Sequence, residues 1–298
     1  MIGGNVPTHL IVGARTGFLE SLKQPDMPWT QVANVLDMGA KSVDLVDLGA
    51  APMPVKSKGG GQAQDFIEKN LTVKPEDWEI TVFISYNAVQ DDQTNTLNNR
   101  VRGAGTNFQK HLNKLVFQTL NGGDGTTYGL CYDGQYFFDT DHKDKGAAYQ
   151  TNQANVAATT LSLDNFNTAN INAQLILDDQ GEYSNYTYDL LIIPPALERT
   201  AAQITGNPED YTTGNRAINP FSGKKRYVVS PDMDSTAWVL AASSEPIKPL
   251  IVAMREQPNL QEAWFDPKAA DGGHYYFKFY ARYNVYYGNW RLAYMGNT

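Results

Sequence analysis

Asp139, Asp141 and His142 bring two carboxylates and an imidazole together in one short segment, FDTDH (residues 138–142). On an extended strand the two aspartates would point to the same side, where carboxylate oxygens can bind a metal ion or act as acid and base. The alternative is a polar turn, in which aspartates accept hydrogen bonds from nearby backbone amides. No second group of histidines or cysteines accompanies the segment, so we favour the turn and expect no metal ligand and no catalytic residue.

A glycine-rich segment, KSKGGG (residues 56–61), has the composition of a phosphate-binding loop. The order of its residues differs from the G-x-x-x-x-G-K-[ST] pattern, and no helix follows directly. The sequence therefore favours the flexible tip of a hairpin, where Lys56 and Lys58 could meet an acidic patch on a neighbouring molecule.

Cys131 is the one cysteine of the chain, so an intrachain disulfide is impossible. As a nucleophile it would need a nearby base and a lowered pKa. The sequence places neither His111 nor His142 beside it, which favours a buried, small apolar side chain. No serine lies in a G-x-S-x-G context.

Two further segments have both a functional and a structural interpretation. The basic run KKR (residues 224–226) is typical of a solvated loop, although it could touch phosphate or an acidic neighbour. The aromatic segment Tyr275–Tyr287 could form a sugar-binding platform. Aromatic residues on both faces of a long strand favour instead a sheet core plus a contact between subunits. We expect no cofactor.

The composition limits the possible classes of protein. The chain has 298 residues, 42% of them hydrophobic, a formal net charge of −8 and a pI near 5.0. Such a chain holds one large or two modest domains and is not a general nucleic-acid binder. It lacks an apolar run of about 18 residues that could span a membrane, and its N-terminus lacks the pattern of a secretory signal.

The strongest helix signal covers Asp91–Leu120. Apolar residues follow each other there in steps of three and four, which predicts a long amphipathic helix lying across one surface. Asp91, Asp92 and Thr94 could cap its start, and two glycines at 122–123 could end it. Gly103 and Gly105 lower its helix propensity and predict either a bend or the close approach of another backbone.

The rest of the chain predicts strands, two shorter helices and loops. Residues 1–13 have no clear period and resemble an arm. The expected elements are a short helix at Ala14–Lys23, a long two-stranded excursion at Lys41–Ala88, an aromatic strand-and-turn segment at Thr126–His142, a helix at Leu163–Leu177 with Leu163, Phe166, Ile171, Leu175 and Ile176 near one face, a buried strand at Tyr188–Ile193, a short helix at Ala196–Ile204, paired strands at Tyr227–Ser230 and Ala237–Ala241, and strands at Ile251–Glu256, Ala263–Phe265, His274–Tyr287 and Trp290–Tyr294. This order is typical of an α+β fold.

Several of these segments together resemble a known family. They are QDDQTNTL at the start of the long helix (90–97), YDGQYFFDTDH after it (132–142), DLLIIPPALE (189–198), VVSPDMDSTAWVLA (228–241) and the closing YGNWRLAYMG. In these segments the chain resembles the Mu-like major head subunit family of tailed phages, called gpT. More broadly, it resembles major capsid proteins of the HK97-type fold. The YDGQYFFDTDH string is the most specific of them.

The resemblance implies an α+β, HK97-like organisation. It implies an N-terminal arm in residues 1–40, an extended β-hairpin (the E-loop) in 41–90, and a P-domain with its long spine helix in 91–160. An A-domain would follow in 161–245, and the long P-domain strands in 246–298. The chain starts only a few dozen residues before the hairpin, so we expect a separate scaffolding protein or prior cleavage. We do not predict a covalent crosslink through Lys56 or Lys58.

The function implied is that of a structural protein and not an enzyme. We expect hexamers and pentamers of this chain to form the icosahedral capsid of a virion, made in the host cytoplasm and enclosing double-stranded DNA without sequence-specific contact. Portal and scaffolding proteins are implied partners, with a decoration protein as an optional one. One alternative is a β-rich carbohydrate-binding or carbohydrate-cleaving protein, which would need paired carboxylates on facing strands that the sequence does not show. The other is another virion part such as a tail tube.

Overall fold

A computed structural model describes residues 6–23, 27–48, 68–91, 96–143, 151–179, 181–209, 218–270 and 272–298. The helices are α1 Thr8–Leu22, α2 Tyr86–Gln90, α3 Thr96–Asn121, α4 Leu163–Gln174 and α5 Glu198–Gly206. The strands are β1 Ala33–Asp37, β2 Val43–Leu48, β3 Glu68–Val73, β4 Glu76–Ser85, β5 Val156–Ala157, β6 Leu190–Ile193, β7 Arg226–Val229, β8 Trp238–Ala241, β9 Leu250–Asp266, β10 His274–Tyr287 and β11 Ala293–Gly296. The KSKGGG segment lies outside the described residues.

A four-stranded sheet in the order β1-β9-β10-β4 contains the two longest strands. The predicted strand His274–Tyr287 is confirmed as β10, and the two short strands predicted at 251–265 are one continuous β9. β9 has 17 residues and β10 has 14, and three register shifts absorb the difference. Such bulges bend and twist a strand pair. β1 pairs only with Leu250–Met254, so the bulged part of β9 extends beyond it.

The inner face of this sheet is buried under the helices. Side chains of β10 alternate between buried and partly exposed along its whole length. On the buried face Phe279 stacks on Phe18 of α1 with ring centroids 4.2 Å apart, and Phe108 of α3 meets Phe18 edge-on. Near the other end of α3, the Tyr287 hydroxyl donates to the Thr119 carbonyl (2.9 Å). The long helix thus lies along the sheet, as its amphipathic pattern predicts.

α1 and α3 cross closely because glycines lie at the crossing. A Cβ placed on Gly105 would be 1.9 Å from Ser21 Oγ and 3.0 Å from the Phe18 carbonyl oxygen. The predicted close approach of another backbone is therefore confirmed at Gly105. The same test at Gly103 meets no atom within 4 Å, since this glycine faces solvent. Helix α1 also begins at Thr8, six residues before the sequence pattern predicted.

We expect Gly105→Ala to destabilise the protein by about 1–3 kcal/mol, because the added methyl group overpacks the α1–α3 crossing. Gly103→Ala is the matched control on the same helix, and it should stabilise by up to about 1 kcal/mol through helix propensity. Urea unfolding of both variants measures the difference. Equal effects of the two substitutions would contradict the crossing as the cause.

A second, five-stranded sheet has the order β5-β11-β8-β6-β7. All four residues of β6 are buried, as the unbroken apolar run at Tyr188–Ile193 predicted. The predicted pairing of β7 with β8 is wrong: β6 lies between them, parallel to β7 and antiparallel to β8. Apolar side chains pack on both sides of this sheet, one set continuous with the core beneath α3 and the other beneath α4 and α5.

Two other sequence predictions need correction. Ile171 and Leu175 share the predicted apolar face of α4, yet they are 48% and 53% exposed, whereas Leu163 and Phe166 are buried. The helix is rotated so that Ala169, Asn170 and Ala173 complete its buried side. Segment 126–142 forms turns instead of a strand, with a single isolated bridge between His142 and Gln153.

Strands β2 and β3 form a separate two-stranded hairpin, in register from Val43↔Val73 to Leu48↔Glu68. Val73 packs at its root with Met38 and Ala253, and the Tyr286 hydroxyl binds both backbone groups of Lys74. β4 was predicted within the same excursion, but it pairs with β10 instead. Its side chains alternate between exposed and partly buried along most of the strand.

Candidate functional site

His142 is fully buried and lies against a carboxylate nine residues before it. Its Nδ1 is 2.6 Å from Asp133 Oδ2, and both side chains have 0% exposure. Its Nε2 is 3.3 Å from the Phe137 carbonyl oxygen. An acceptor oxygen thus faces each ring nitrogen, and the imidazole bridges the Asp133 carboxyl group and the Phe137 carbonyl. The ring also stacks on Trp290, with centroids 4.0 Å apart.

The aspartates that were predicted beside His142 have local roles. Asp139 Oδ1 accepts from the Thr140 amide (2.6 Å), and Asp141 Oδ1 accepts from Asn152 Nδ2 (3.2 Å). Asp133 likewise accepts from the Gln135 amide (3.2 Å). These contacts are those of the polar turn that the sequence favoured. Across the described ranges, no three histidine, cysteine, aspartate or glutamate side chains are arranged to hold a metal ion.

Asn155 connects this turn to the C-terminal strand. Its Nδ2 donates to the carbonyls of Phe137 (2.8 Å), Trp290 (3.1 Å) and Ala293 (3.3 Å), and its Oδ1 accepts from the Asp139 amide (2.9 Å). We call Asp133, Phe137, His142, Asn155 and Trp290 the junction. Since the Phe138 amide also donates to Gly123 just after α3 (2.8 Å), the junction fastens the end of the long helix to the second sheet.

Sequence reasoning missed most of the junction. Asp133, Asn155 and Trp290 are scattered over 158 residues, and no local pattern links them. Arg291 belongs beside them: it is 3% exposed, donates to the Leu177 carbonyl and the Tyr132 hydroxyl (both 2.8 Å) and lies over the Trp290 ring. The only available signal was that the strings YDGQYFFDTDH and YGNWRLAYMG both resemble the same family.

Cys131 has the environment of a buried apolar side chain. Burial is the main cause that raises the pKa of its thiol far above the ordinary range, and the nearby Asp133 charge adds to it. The sulfur is 3.6 Å from the Gly288 carbonyl oxygen. Since the thiolate is the nucleophilic form, this cysteine is inert. His111 lies elsewhere, with Nδ1 2.8 Å from the Tyr283 hydroxyl.

The basic run at 224–226 is not simply a solvated loop. Lys225 Nζ binds Asn170 Oδ1 (2.9 Å) and the Tyr188 carbonyl, and partial burial lowers the pKa of its ammonium group. Arg226 Nη2 contacts Asp189 Oδ2 at 2.9 Å. Two of the three cations therefore fix one end of the second sheet.

Asp189 is the anchor of that end. It accepts from Arg226 and from the amides and hydroxyls of Ser243 and Ser244, at 2.7–3.3 Å. Partial burial would raise the pKa of this carboxyl group, but the hydrogen bonds outweigh burial and lower the pKa to about 2. The carboxylate thus ties β6 and β7 to the segment after β8.

Replacing Asp189 by asparagine should cost about 2 kcal/mol at neutral pH, because charge-assisted hydrogen bonds are lost. The folded pKa is depressed, so this stabilisation is complete above the unfolded pKa of about 4 and is lost as the pH falls through about 2. The difference in unfolding free energy between the unaltered chain and the Asp189→Asn variant should become smaller as the pH falls from about 4 to about 2. Urea unfolding at several pH values measures it. Asp37→Asn, at an exposed position, is the control. A difference that stays constant down to pH 2 would contradict this account.

The aromatic strand does not present the flat ring faces of a sugar platform. On the outer face of the sheet Tyr276 stacks on Trp264, with centroids 5.0 Å apart and planes 4° from parallel. Phe83 lies beside Tyr276 and is 51% exposed. The rings therefore cover one another, which favours sheet packing and a protein contact over sugar binding.

Apolar side chains are exposed at several separate places. Ile218 is 86% exposed between α5 and β7, and Ile247 is 56% exposed before β9. A groove of about 460 Å³ runs between α1, α3 and the bulged part of β9, with Trp29 and Phe108 among its walls. Exposed apolar surface of this kind is typical of protein–protein contacts.

The sequence profile of the Mu-like prophage major head subunit gpT family matches residues 8–160 and 221–298. The chain belongs to this family. A stretch of 196 residues is 27% identical to the Mu-like prophage FluMu major head subunit of Haemophilus influenzae and covers 66% of this chain. The match covers 60% of that relative, so it spans less than two thirds of the relative's length.

Solved structures share the fold of this Mu-like head subunit. The procapsid of bacteriophage JBD30 matches with a TM-score of 0.58 at 20% identity, over 98% of this chain and 76% of that chain. The capsid of Ralstonia phage GP4 matches with a TM-score of 0.56 at 11% identity, over 89% and 87% of the two chains. The fold is therefore the HK97-type capsid fold with mixed helices and sheets, as predicted.

Two features of this family member suit a subunit that packs against others in a shell. Its described hydrogen bonds and ion pairs join one element to another, and several large apolar side chains are exposed. Among the residues that the structure describes, no helix combines the length and apolar character needed to cross a bilayer.

Proposed function

We propose that the chain assembles into hexamers and pentamers that build the icosahedral head of a tailed phage around double-stranded DNA. The observation that carries this proposal is the β2–β3 hairpin, whose described packing on the rest of the subunit is at its root. A two-stranded hairpin has too little core to be stable alone. A neighbouring subunit would supply the missing surface, and head-to-tail contacts of this kind close into rings.

Parts of the subunit take separate roles in this proposal. The N-terminal arm covers residues 1–40 and the E-loop region 41–90, in which β2 and β3 form the hairpin while β4 joins the long sheet. Residues 91–160 and 246–298 form the stiff P-domain plate, with α3 as its spine. Residues 161–245 form the A-domain, and the exposed Ile218 favours a contact between its loops at the axis of each capsomer.

The proposed mechanism is assembly without catalysis. Portal and scaffolding proteins are the proposed partners, and the subunit would be made in the host cytoplasm before it enters the virion. A capsid of bacteriophage JBD30 is decorated with minor capsid protein trimers. That likeness supports a decoration protein as an optional partner of this chain.

Negative-stain electron microscopy of the purified chain at high concentration tests the proposal. Closed shells, or five- and six-membered rings, are the expected result, with or without a scaffolding partner. Stacked rings of a single size would point to a tube-forming protein instead. A compact monomer that never forms rings, even beside a scaffolding protein, would overturn the proposal.

A further inference from the structure

The long helix α3 has a charge unlike that of the chain as a whole. It contains four lysines and arginines and not one carboxylate, in a protein with 32 acidic residues and a net charge of −8. Its basic residues are Arg100, Arg102, Lys110 and Lys114. A local excess of positive charge can bind an anion even where the whole chain is acidic.

Lys110 and Lys114 are exposed and lie one helical turn apart, about 6 Å along the axis. Among the described residues neither of them forms an ion pair. Asn99 and Asn107 are exposed on the same side of the helix. We call these two lysines and two asparagines the basic stripe.

The neighbours of the stripe leave its charge in place. Glu20 is the one carboxylate of α1, and it is already paired with Arg102 at 2.6 Å. Arg100 donates to the Phe83 carbonyl (2.9 Å), which does not cancel a positive charge. The helix side of the plate is therefore cationic.

The opposite face of the long sheet has the reverse character. Lys278 and Arg282 on β10 are both paired there, with Glu79 and Asp77 respectively, at 2.6 Å. By register the same face carries five carboxylates, Asp77, Glu79, Glu256, Glu262 and Asp266. The plate is thus polarised, with an acidic outer face and a cationic helix face.

We propose that the basic stripe faces the interior of the shell and contacts the phosphate backbone of packaged double-stranded DNA. This inference rests on the proposed function, because it requires that the shell enclose DNA. Lysine ammonium groups bind phosphate as point charges, and asparagine amides hydrogen-bond phosphate oxygens without reading sequence. Two cations per subunit give weak contacts, each reversible, which add up over the many copies in a shell.

The first test measures duplex binding by the unassembled full chain. Fluorescence anisotropy with a labelled duplex of about 30 base pairs at about 50 mM salt compares the chain with Lys110→Gln/Lys114→Gln. The double variant should bind about 5–10-fold more weakly, and its salt dependence should fall by a slope of about 2. Lys74→Gln/Lys268→Gln removes the same charge at exposed sites near the hairpin root and after β9, and should change little. Equal weakening in both variants, or no binding by the unaltered chain, would overturn the proposal.

The second test asks which way the stripe faces. Because Cys131 is buried and its thiol is held protonated, a cysteine introduced as Lys110→Cys is the reactive one. A polymer-linked maleimide too large to enter a closed shell should label it in the free subunit and fail to label it in shells. Complete labelling in closed shells would place the stripe outside and overturn this inference. If no shells form from the unaltered chain, the proposed function fails instead, which electron microscopy of the same sample distinguishes.

Discussion

His142→Ala is expected to lower the free energy of unfolding by about 3–5 kcal/mol, the largest effect of any single substitution considered. The substitution leaves the buried Asp133 carboxyl group without its imidazole partner, and a buried polar group without its partner costs up to several kcal/mol. It also removes the ring that stacks on Trp290 and leaves a cavity in the junction. Urea unfolding at neutral pH measures the loss.

Two further variants make this prediction specific. Asp141→Ala, one position away and exposed, should stay within about 0.5 kcal/mol of the unaltered chain. The double variant His142→Ala/Asp133→Ala should be less destabilised than the sum of the single variants, because neither side chain is then left buried without its partner. Strict additivity would show that His142 stabilises the fold only through its volume.

Replacing residues 49–67 by an Asn-Gly turn is expected to abolish shell formation while the subunit remains folded. Leu48 and Glu68 are paired in register, so a two-residue turn can close the hairpin at that point. The shortened hairpin keeps its anchoring at Val73 and Ala253, and therefore the core of the subunit is untouched. In the proposed assembly, the removed segment is the part of the hairpin that contacts a neighbouring subunit.

Electron microscopy and thermal unfolding together check this prediction. The expected result is a soluble subunit with an unchanged melting temperature that forms no closed shells. Replacing the lysines of the same segment by Lys56→Gln/Lys58→Gln is the matched control, since it keeps the length and removes only the charge. Normal shells from the shortened chain would show that the hairpin is dispensable, whereas a failure of the control alone would assign the contact to charge.

The elements that follow a single strong period were predictable from the sequence. β10 has the predicted bounds because apolar residues occupy every second position from Tyr275 to Tyr287. α3 ends within one residue of the prediction, since its apolar steps continue up to Leu120. The close approach at Gly105 was also predictable. A glycine lowers the stability of a helix, so its presence indicates that a neighbouring element would clash with a side chain there.

Long-range partners could not be predicted in the same way. The turn at Pro231 suggests a hairpin between β7 and β8. In the structure β6 lies between these two strands, because β7 and β8 can both pair with this fully buried strand. Ile171 and Leu175 carry the same apolar signal as Phe166, and only the packing of α4 on the sheet separates exposed from buried. Within the junction, the aspartate that contacts His142 lies across a turn, so strand periodicity pointed to the wrong aspartates.

The irregular β9 has a consequence for how copies of this chain can meet. Beyond Met254, where pairing with β1 ends, three register shifts in its pairing with β10 make the strand irregular, and Pro258 offers no amide hydrogen. A bulged edge of this kind is a poor template for another strand. We therefore expect that copies of this chain do not join through open-ended sheet growth at this edge.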